Sequence, residues 1–355
     1  MKNAKKRNIA AFTAIGAAVI LLGTALFASY FPEIAVRSAA LLMNETPYSH
    51  TSSFHISDTS SNSAPVGPDP DPAESTPAES DPVSSSAESS GTVGGTVSEV
   101  DLSGGGTIVS GKIRIKSFSS SAIDIDALRN QAVELKTSDT AEPQVLIYHT
   151  HTSEAYLDEF TGTYPADFSV RTRDAAHSVI HVGDVITRKL NSAGITAIHD
   201  TTYHDDPMYR GAYGRSLTTI SQYLSEYPSI SVTLDIHRDC LQQSDGTRLK
   251  PTIMINGQKA AQIMLVSGCD DNGTLGFPDW QKNMCFSIHL QDILTQRYEG
   301  LARPIYCWNV RYNEHVTPTS LLVEFGTEAN TDEEVAYSAE LFADALIELM
   351  ESYRS

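Results

Sequence analysis

From about residue 107 onward, short apolar runs alternate with segments whose apolar residues recur at helical spacing. Thr107 to Lys116 alternates and predicts a strand, and Ile123 to Leu135 predicts a short helix. Val145-Leu146-Ile147-Tyr148, bounded by Pro143, is a continuous apolar run and predicts a buried strand. Ser178 to Asn191 sets Val179, Ile180, Val182, Ile186 and Leu190 at helix spacing and stops at Ala193-Gly194. Ile195 to Ile198 predicts a strand. Ser216 to Glu226 predicts a helix with Leu217, Ile220, Tyr223 and Leu224 on one face. Then follow a strand at Ile230 to Ile236, strands at Thr252 to Asn256 and Ala261 to Val266, a helix at Trp280 to Glu299, a strand at Leu321 to Glu324 and a closing helix at Asp332 to Glu351. This alternation predicts an α/β fold: one domain over residues 107–355, with a largely parallel central sheet and helices on both faces.

The first part of the chain reads differently. Residues 1–8 form a basic tail containing Lys2, Lys5, Lys6 and Arg7. Residues 9–31 are apolar and uncharged, about 23 residues, long enough to span a bilayer with some tilt. A signal peptide usually has a shorter apolar core, although Thr24 to Ser29 contains residues that suit a cleavage site. The length favours a retained single-pass anchor in the cell membrane, with the basic end in the cytoplasm and the remainder extracytoplasmic. Residues 32–106 are rich in Ser, Pro, Gly and acid, with no Lys or Arg between Arg37 and Lys112. This stretch predicts a flexible linker, and some 50 such residues give a mean reach on the order of 40 Å. Much of the net charge of −19 therefore belongs to a solvated spacer, and a nucleic-acid partner is disfavoured. The four cysteines form no CxxC pair, so a cysteine zinc site is unsupported. They read as small buried hydrophobes.

Candidate chemistry gathers at three strand ends. The first continues past Tyr148 as His149-Thr150-His151-Thr152-Ser153-Glu154. The second is Asp235-Ile236-His237-Arg238-Asp239 and the third is Val323-Glu324-Phe325-Gly326. The carboxyl edge of an α/β sheet is where such folds place their sites. If the strand continues, His149 and His151 share a face. Imidazole and carboxylate donors suit zinc, with one position left open in a catalytic site. The metal set is His151 and His237 with one of His149, Glu154 or Asp174. Glu324, at the end of a buried run, fits a general base acting on water. Arg238 is a candidate for binding a substrate carboxylate, and Asp239 for orienting an imidazole. There is no HEXXH helix, no GxSxG elbow, and neither a GxGxxG nor a P-loop, so thermolysin-like, serine-hydrolase and nucleotide chemistries are not indicated. Ser216 reads as a helix cap.

The stretches Ile147 to Tyr156, Val182-Gly183-Asp184, Asp235 to Asp239 and Leu322 to Gly326 with Asn330 together resemble the stage II sporulation protein P family of membrane-anchored cell-wall hydrolases. The resemblance covers about Ile123 to the end of the chain. It implies N-acetylmuramoyl-L-alanine amidase activity on peptidoglycan, a second endopeptidase activity on peptide cross-links, and a role in sporulation engulfment. It also implies action with the sporulation protein D transglycosylase and the sporulation protein M membrane protein. More distantly, the order of elements is similar to zinc-dependent muramoyl-alanine amidases. Those carry a Glu at a helix start, whereas this chain has no Glu between Glu159 and Glu226 and only Asp174 near the Ser178 helix. The alternative from another class is a non-catalytic peptidoglycan-binding or scaffold module, which has no use for the Glu324 carboxylate.

Overall fold

The computed structural model describes residues 92–135 and 141–354. In chain order the strands and helices are β1 (Val93–Val100), β2 (Ile108–Ser110), β3 (Ile113–Ser117), α1 (Ile125–Arg129), β4 (Val145–Tyr148), β5 (Thr163–Pro165), α2 (Val179–Ser192), β6 (Ala197–His199) and α3 (Ala212–Glu226). They continue as β7 (Val232–Asp239), β8 (Arg248–Ile255), β9 (Gln258–Ala261), β10 (Ile263–Gly268), α4 (Trp280–Arg297), β11 (Ile305–Trp308), β12 (Thr319–Thr327) and α5 (Asp332–Ser352). The main sheet has eight strands in the order β2-β3-β11-β10-β12-β7-β4-β6, and a smaller sheet runs β5-β1-β8-β9.

Strand alternation sets the layers. Val145, Ile147, Leu234, Ile236, Val323 and Phe325 point into the principal core with α2, α4 and α5. On the other face Leu146 and Tyr148 meet Ile220 of α3, while Leu322, Met264 and Val266 meet Tyr312. Buried on both faces, β4 has no polar position until it ends, which is why it reads as an unbroken apolar run. Each such fully buried side chain contributes about 1.5–3 kcal/mol. The helix starts are specified locally. The Ser178 hydroxyl accepts from the Ile180 amide to open α2, and Thr331 with Glu334 forms a reciprocal capping box on α5.

The sheet departs from the expected parallel pattern at one boundary that matters. β6, β4, β7 and β12 run parallel to one another, but β12 pairs antiparallel with β10, and β10, β11 and β3 then run parallel in the opposite sense. The carboxyl ends of β4, β7 and β12 are therefore neighbours at one edge, with Glu324 directly opposite His237.

Several expectations are corrected. The linker does not extend to residue 106: Val93–Val100 is β1, paired parallel with β8 and antiparallel with β5, and Val97 is buried. Its glycines and acid hid a strand whose ladder supplies what its side chains do not. Thr107 to Lys116 is a hairpin that turns at Gly111, whose φ of 59° suits glycine. The helix expected over Ile123 to Leu135 is only Ile125–Arg129. β5 and β11 carried no recognised signal. Residues 9–31 and the linker up to residue 91 lie outside the described residues. Among the described residues, no helix is long and apolar enough to cross a membrane.

Candidate metal and active site

β4 ends at Tyr148, and the chain then turns through a loop pinned by buried hydrogen bonds. The Thr150 amide and hydroxyl donate to Asp235 at 2.7 and 2.6 Å, Thr152 Oγ1 donates to the carbonyl of Thr202 at 2.7 Å, and Ser153 Oγ donates to Asp205 at 2.6 Å. This loop brings His151 and Glu154 to His237 at the end of β7. Ligand atoms of these three residues all lie within 4.8 Å of one another. His151 Nδ1 is 3.6 Å from Glu154 Oε1, and His237 Nδ1 is 3.4 Å from Glu154 Oε2. The other nitrogen of His237 faces Asp235 Oδ1 at 2.9 Å, too obliquely for a hydrogen bond, so this buried Nε2 has no hydrogen-bond partner. His151 stacks on Tyr209 with ring centroids 4.2 Å apart, and the Arg171 guanidinium lies 4.1 Å from the centroid of the Tyr209 ring. Tyr213 meets His151 edge-on at 5.7 Å.

Opposite charges decide the protonation states. Burial disfavours the His237 imidazolium, but Asp235 and Glu154 outweigh it and hold its pKa well above the usual value. Burial also disfavours the Glu154 carboxylate, which the neighbouring His237 and His151 rings nevertheless keep well below the carboxylate range. Glu324 goes the other way. Its Oε2 is shielded from solvent and unpaired. Burial raises its pKa to about 8, only partly countered by His237. In the metal-free chain the sign follows from linkage. The folded state keeps the Glu324 proton to about pH 8, whereas an unfolded Glu loses it near about 4.3. Its contribution to stability is therefore lost as pH rises through that window. In chelator-treated protein, Glu324→Gln is expected to raise Tm relative to wild type at pH 8.5 more than at pH 5. An equal difference at both pH values in thermal melts would contradict this placement of the carboxyl group.

Not every candidate residue joins the cluster. His149 does not: strand geometry ends before it, so the expected shared face with His151 is lost. Its Nδ1 meets the carbonyl of Ile236 at 2.9 Å and its Nε2 meets His199 Nε2 at 2.8 Å. Burial, then the neighbouring His199, lowers its pKa to about 3. Arg238 is likewise not free for a ligand. It is buried, its guanidinium donates to the carbonyls of Ala155 and Val170 at 3.0 and 2.7 Å, and its amide donates to Glu154. It braces the loop that carries Glu154. Asp174 caps the 3-10 turn Ala175–His177 and is exposed. Asp239 accepts from Arg303 at 2.8 Å, and it is Asp235 that faces the imidazole. Ser216 lies inside α3, bonded to Thr150 and Asn313, and does not cap it.

Asp235, His199 and Tyr209 were missed. Asp235 had a signal, since it sits two residues before His237 and so shares its face. His199 is bound to Asp184 at 2.9 Å, and a Cβ on Gly183 would run into the His199 ring. That contact accounts for the glycine in Val182-Gly183-Asp184. A second cluster, Asp158, His177 and Asp332, lies at the start of α5 and is more exposed. There the imidazole is already held by both carboxylates, at 2.6 and 3.2 Å.

The chain is 27% identical over 216 residues to stage II sporulation protein P of Bacillus subtilis (strain 168), a match covering 58% of this chain. The chain spans about half of the length of that relative, 50%. Among solved structures it is similar to the N-acetylmuramoyl-L-alanine amidase AmiC2 of Nostoc punctiforme, at 13% identity and a TM-score of 0.32, covering 61% of this chain and 98% of that one. It is also similar to the CwlD amidase from Clostridioides difficile in complex with the GerS lipoprotein, at 11% identity and a TM-score of 0.36, covering 59% and 99%. These structural likenesses are distant and add nothing to the chemistry, which rests on the residues above. The model of the family Stage II sporulation protein P matches residues 56–347, and this span holds His151, Glu154, His237 and Glu324. The chain belongs to the stage II sporulation protein P family.

Proposed function

We propose that the chain is a metal-dependent peptidoglycan hydrolase that cuts the amide between the lactyl group of N-acetylmuramic acid and L-alanine. It would act in septal wall remodelling during sporulation, tethered outside the membrane by residues 9–31. The observation that carries this reading is the convergence of two imidazoles and a carboxylate beside Glu324, whose Oε2 is shielded and unpaired.

The residues fit a zinc ion. His151, Glu154 and His237 present nitrogen and oxygen donors from one small volume, and the second nitrogen of His237 faces a buried carboxylate, as metal-binding imidazoles ordinarily require. In this reading Glu154 is the third donor, where the sequence left His149, Glu154 and Asp174 open. When bound, zinc would acidify water and polarise the scissile carbonyl. The protein groups do the rest. Asp235 faces the His237 ring and supplies its counter-charge, Tyr209 backs the His151 ring, and the Arg238 amide holds Glu154. Glu324 takes the proton of the attacking water and delivers it to the leaving amine of L-alanine. A pKa near neutrality suits a group that must both accept and give a proton. A scaffold module that only binds the wall has no need to keep such a carboxyl group buried and unpaired.

Mass spectrometry of purified sacculi digested by the full chain tests this. Stem peptides with a free L-alanine amine are expected, lost with a chelator and restored by zinc. The same digest reports whether peptide cross-links are also opened. Products cut only within the glycan, or no products at all, would overturn the proposal.

A further inference from the structure

The chain between β6 and α3 forms neither helix nor strand, yet it is held at many points. From α3, the Arg215 guanidinium donates to three of its carbonyls, to His204 at 2.5 Å, to Arg210 at 3.1 Å and to Met208. Asp205 accepts from Ser153 of the Glu154 loop at 2.6 Å, and Asp206 pairs with Arg173. The Glu154 loop is itself lined by residues 170–172. The Ala155 amide donates to the Val170 carbonyl at 3.0 Å, the Thr172 amide donates to the Ser153 carbonyl at 2.8 Å, and Arg171 is bridged to Glu154. Both segments meet at Tyr209. The Arg171 guanidinium lies 4.1 Å from its ring centroid, and His151 stacks on the same ring at 4.2 Å.

Backing the His151 ring requires an aromatic face and no hydroxyl. The Tyr209 hydroxyl nevertheless lies 3.2 Å from His151 Nδ1, the nitrogen that faces Glu154 Oε1 at 3.6 Å. The two rings are 25° from parallel. The hydroxyl therefore stands over the imidazole and not in its plane, where the nitrogen lone pair points. A group held in that plane by Nδ1 leaves the hydroxyl in place beside it. Tyr209 is only half-buried, so a ligand can reach it. It is a proton donor at the edge of the His151, Glu154 and His237 cluster that the hydrolytic steps above leave without a task.

We propose that Tyr209 is a catalytic residue whose hydroxyl donates to the carbonyl oxygen of the scissile amide, a role that rests on the hydrolase reading above. As the water oxygen bonds to the carbonyl carbon, the C=O pair moves onto the carbonyl oxygen. The phenol donates a hydrogen bond to that oxygen and keeps its own proton. When the pair returns, the C–N bond breaks and the amine leaves with the proton that Glu324 took from the water. A donor already in place where charge develops needs no reorganisation during the reaction, and removing one such donor lowers kcat by about 10²–10³. Arg215 on the loop, with Arg171 and His151 on the ring, supplies that fixed placement.

The test compares the full wild-type chain with Tyr209→Phe, which keeps the stacked ring and removes only the hydroxyl. Three quantities are measured: zinc affinity by chelator competition, steady-state kinetics on sacculi, and binding of a phosphinate analogue. In that analogue a tetrahedral phosphorus bearing a charged oxygen replaces the scissile carbonyl carbon. Zinc affinity is expected to stay at the wild-type value, and kcat to fall by roughly 10²-fold with little change in KM. Phosphinate binding should weaken by roughly 10- to 100-fold, the size of a hydrogen bond to a charged group. Wild-type kcat and phosphinate affinity in Tyr209→Phe overturn the donor and leave the ring as a wall, with the hydrolase reading intact. Loss of zinc also overturns it and makes the hydroxyl a metal ligand. A lower kcat at unchanged phosphinate affinity overturns it too, because the hydroxyl then acts on something other than the developing charge. A wild-type chain that cuts no amide removes the hydrolase reading, and the donor with it.

Discussion

Glu324→Gln is expected to lower turnover on peptidoglycan by on the order of 10²–10⁴ while leaving metal content unchanged. The side chain sits directly opposite His237 across the β7–β12 ladder, yet it is not one of the three clustered donors. Gln has nearly the same shape but cannot take up a proton. The loss should therefore appear in kcat with little change in KM, because what is removed acts in the transition state and not in substrate binding. Glu324→Asp shortens the reach and should recover part of the rate. Steady-state kinetics on purified sacculi, with metal analysis of the same preparation, checks both parts. Wild-type kcat in Glu324→Gln would move the general base elsewhere.

His237→Ala is expected to abolish bound zinc and activity together, and His151→Ala and Glu154→Ala to do the same or nearly so. Each removes one of three donors, and two remaining donors do not hold the ion against dilution. His149→Ala separates this account from the simpler view that both histidines of the first motif bind metal. It should keep its zinc. Its expected defect is in stability, about 1–3 kcal/mol, because the His199 ring and the Ile236 carbonyl lose a buried partner. Metal analysis of the four variants alongside thermal melts gives the comparison. Loss of metal in His149→Ala at unchanged Tm would contradict the placement of that ring.

How much of this was readable beforehand depended on the kind of signal each element carries. β4, β7 and β12 were legible because each is buried on both faces and is dominated by apolar residues, unbroken in β4 and interrupted only by buried polar groups in β7. Their ends were legible for the opposite reason, since a titratable group after such a run has to be accommodated. α2, α4 and α5 had periodicity over many turns. β1 was lost because its stability comes from backbone pairing with β5 and β8, while Gly94, Gly95 and Glu99 resemble the acidic spacer before it. β11 was lost because Tyr306 and Trp308 face outward on a short strand, so neither alternation with polar residues nor a full apolar run was present. In the site, His151, Glu154, His237 and Glu324 were all named, but the choice among His149, Glu154 and Asp174 turned on where β4 stops. Because the strand ends at Tyr148, His149 and His151 do not share a face, and only His151 joins Glu154 and His237. Arg238 illustrates the remaining limit. A guanidinium after a strand end is equally suited to a ligand or to backbone carbonyls, and only the path of Ala155 and Val170 past it decides between them.

The central claim is that one metal ion at His151, Glu154 and His237 is required for hydrolysis. Its most direct test is the metal content of the full chain, purified active and without chelator, measured by plasma mass spectrometry beside its rate on sacculi. The account predicts about one zinc per chain, with activity that falls in proportion as the metal is withdrawn and returns as it is restored. A fully active preparation with no stoichiometric metal would contradict it.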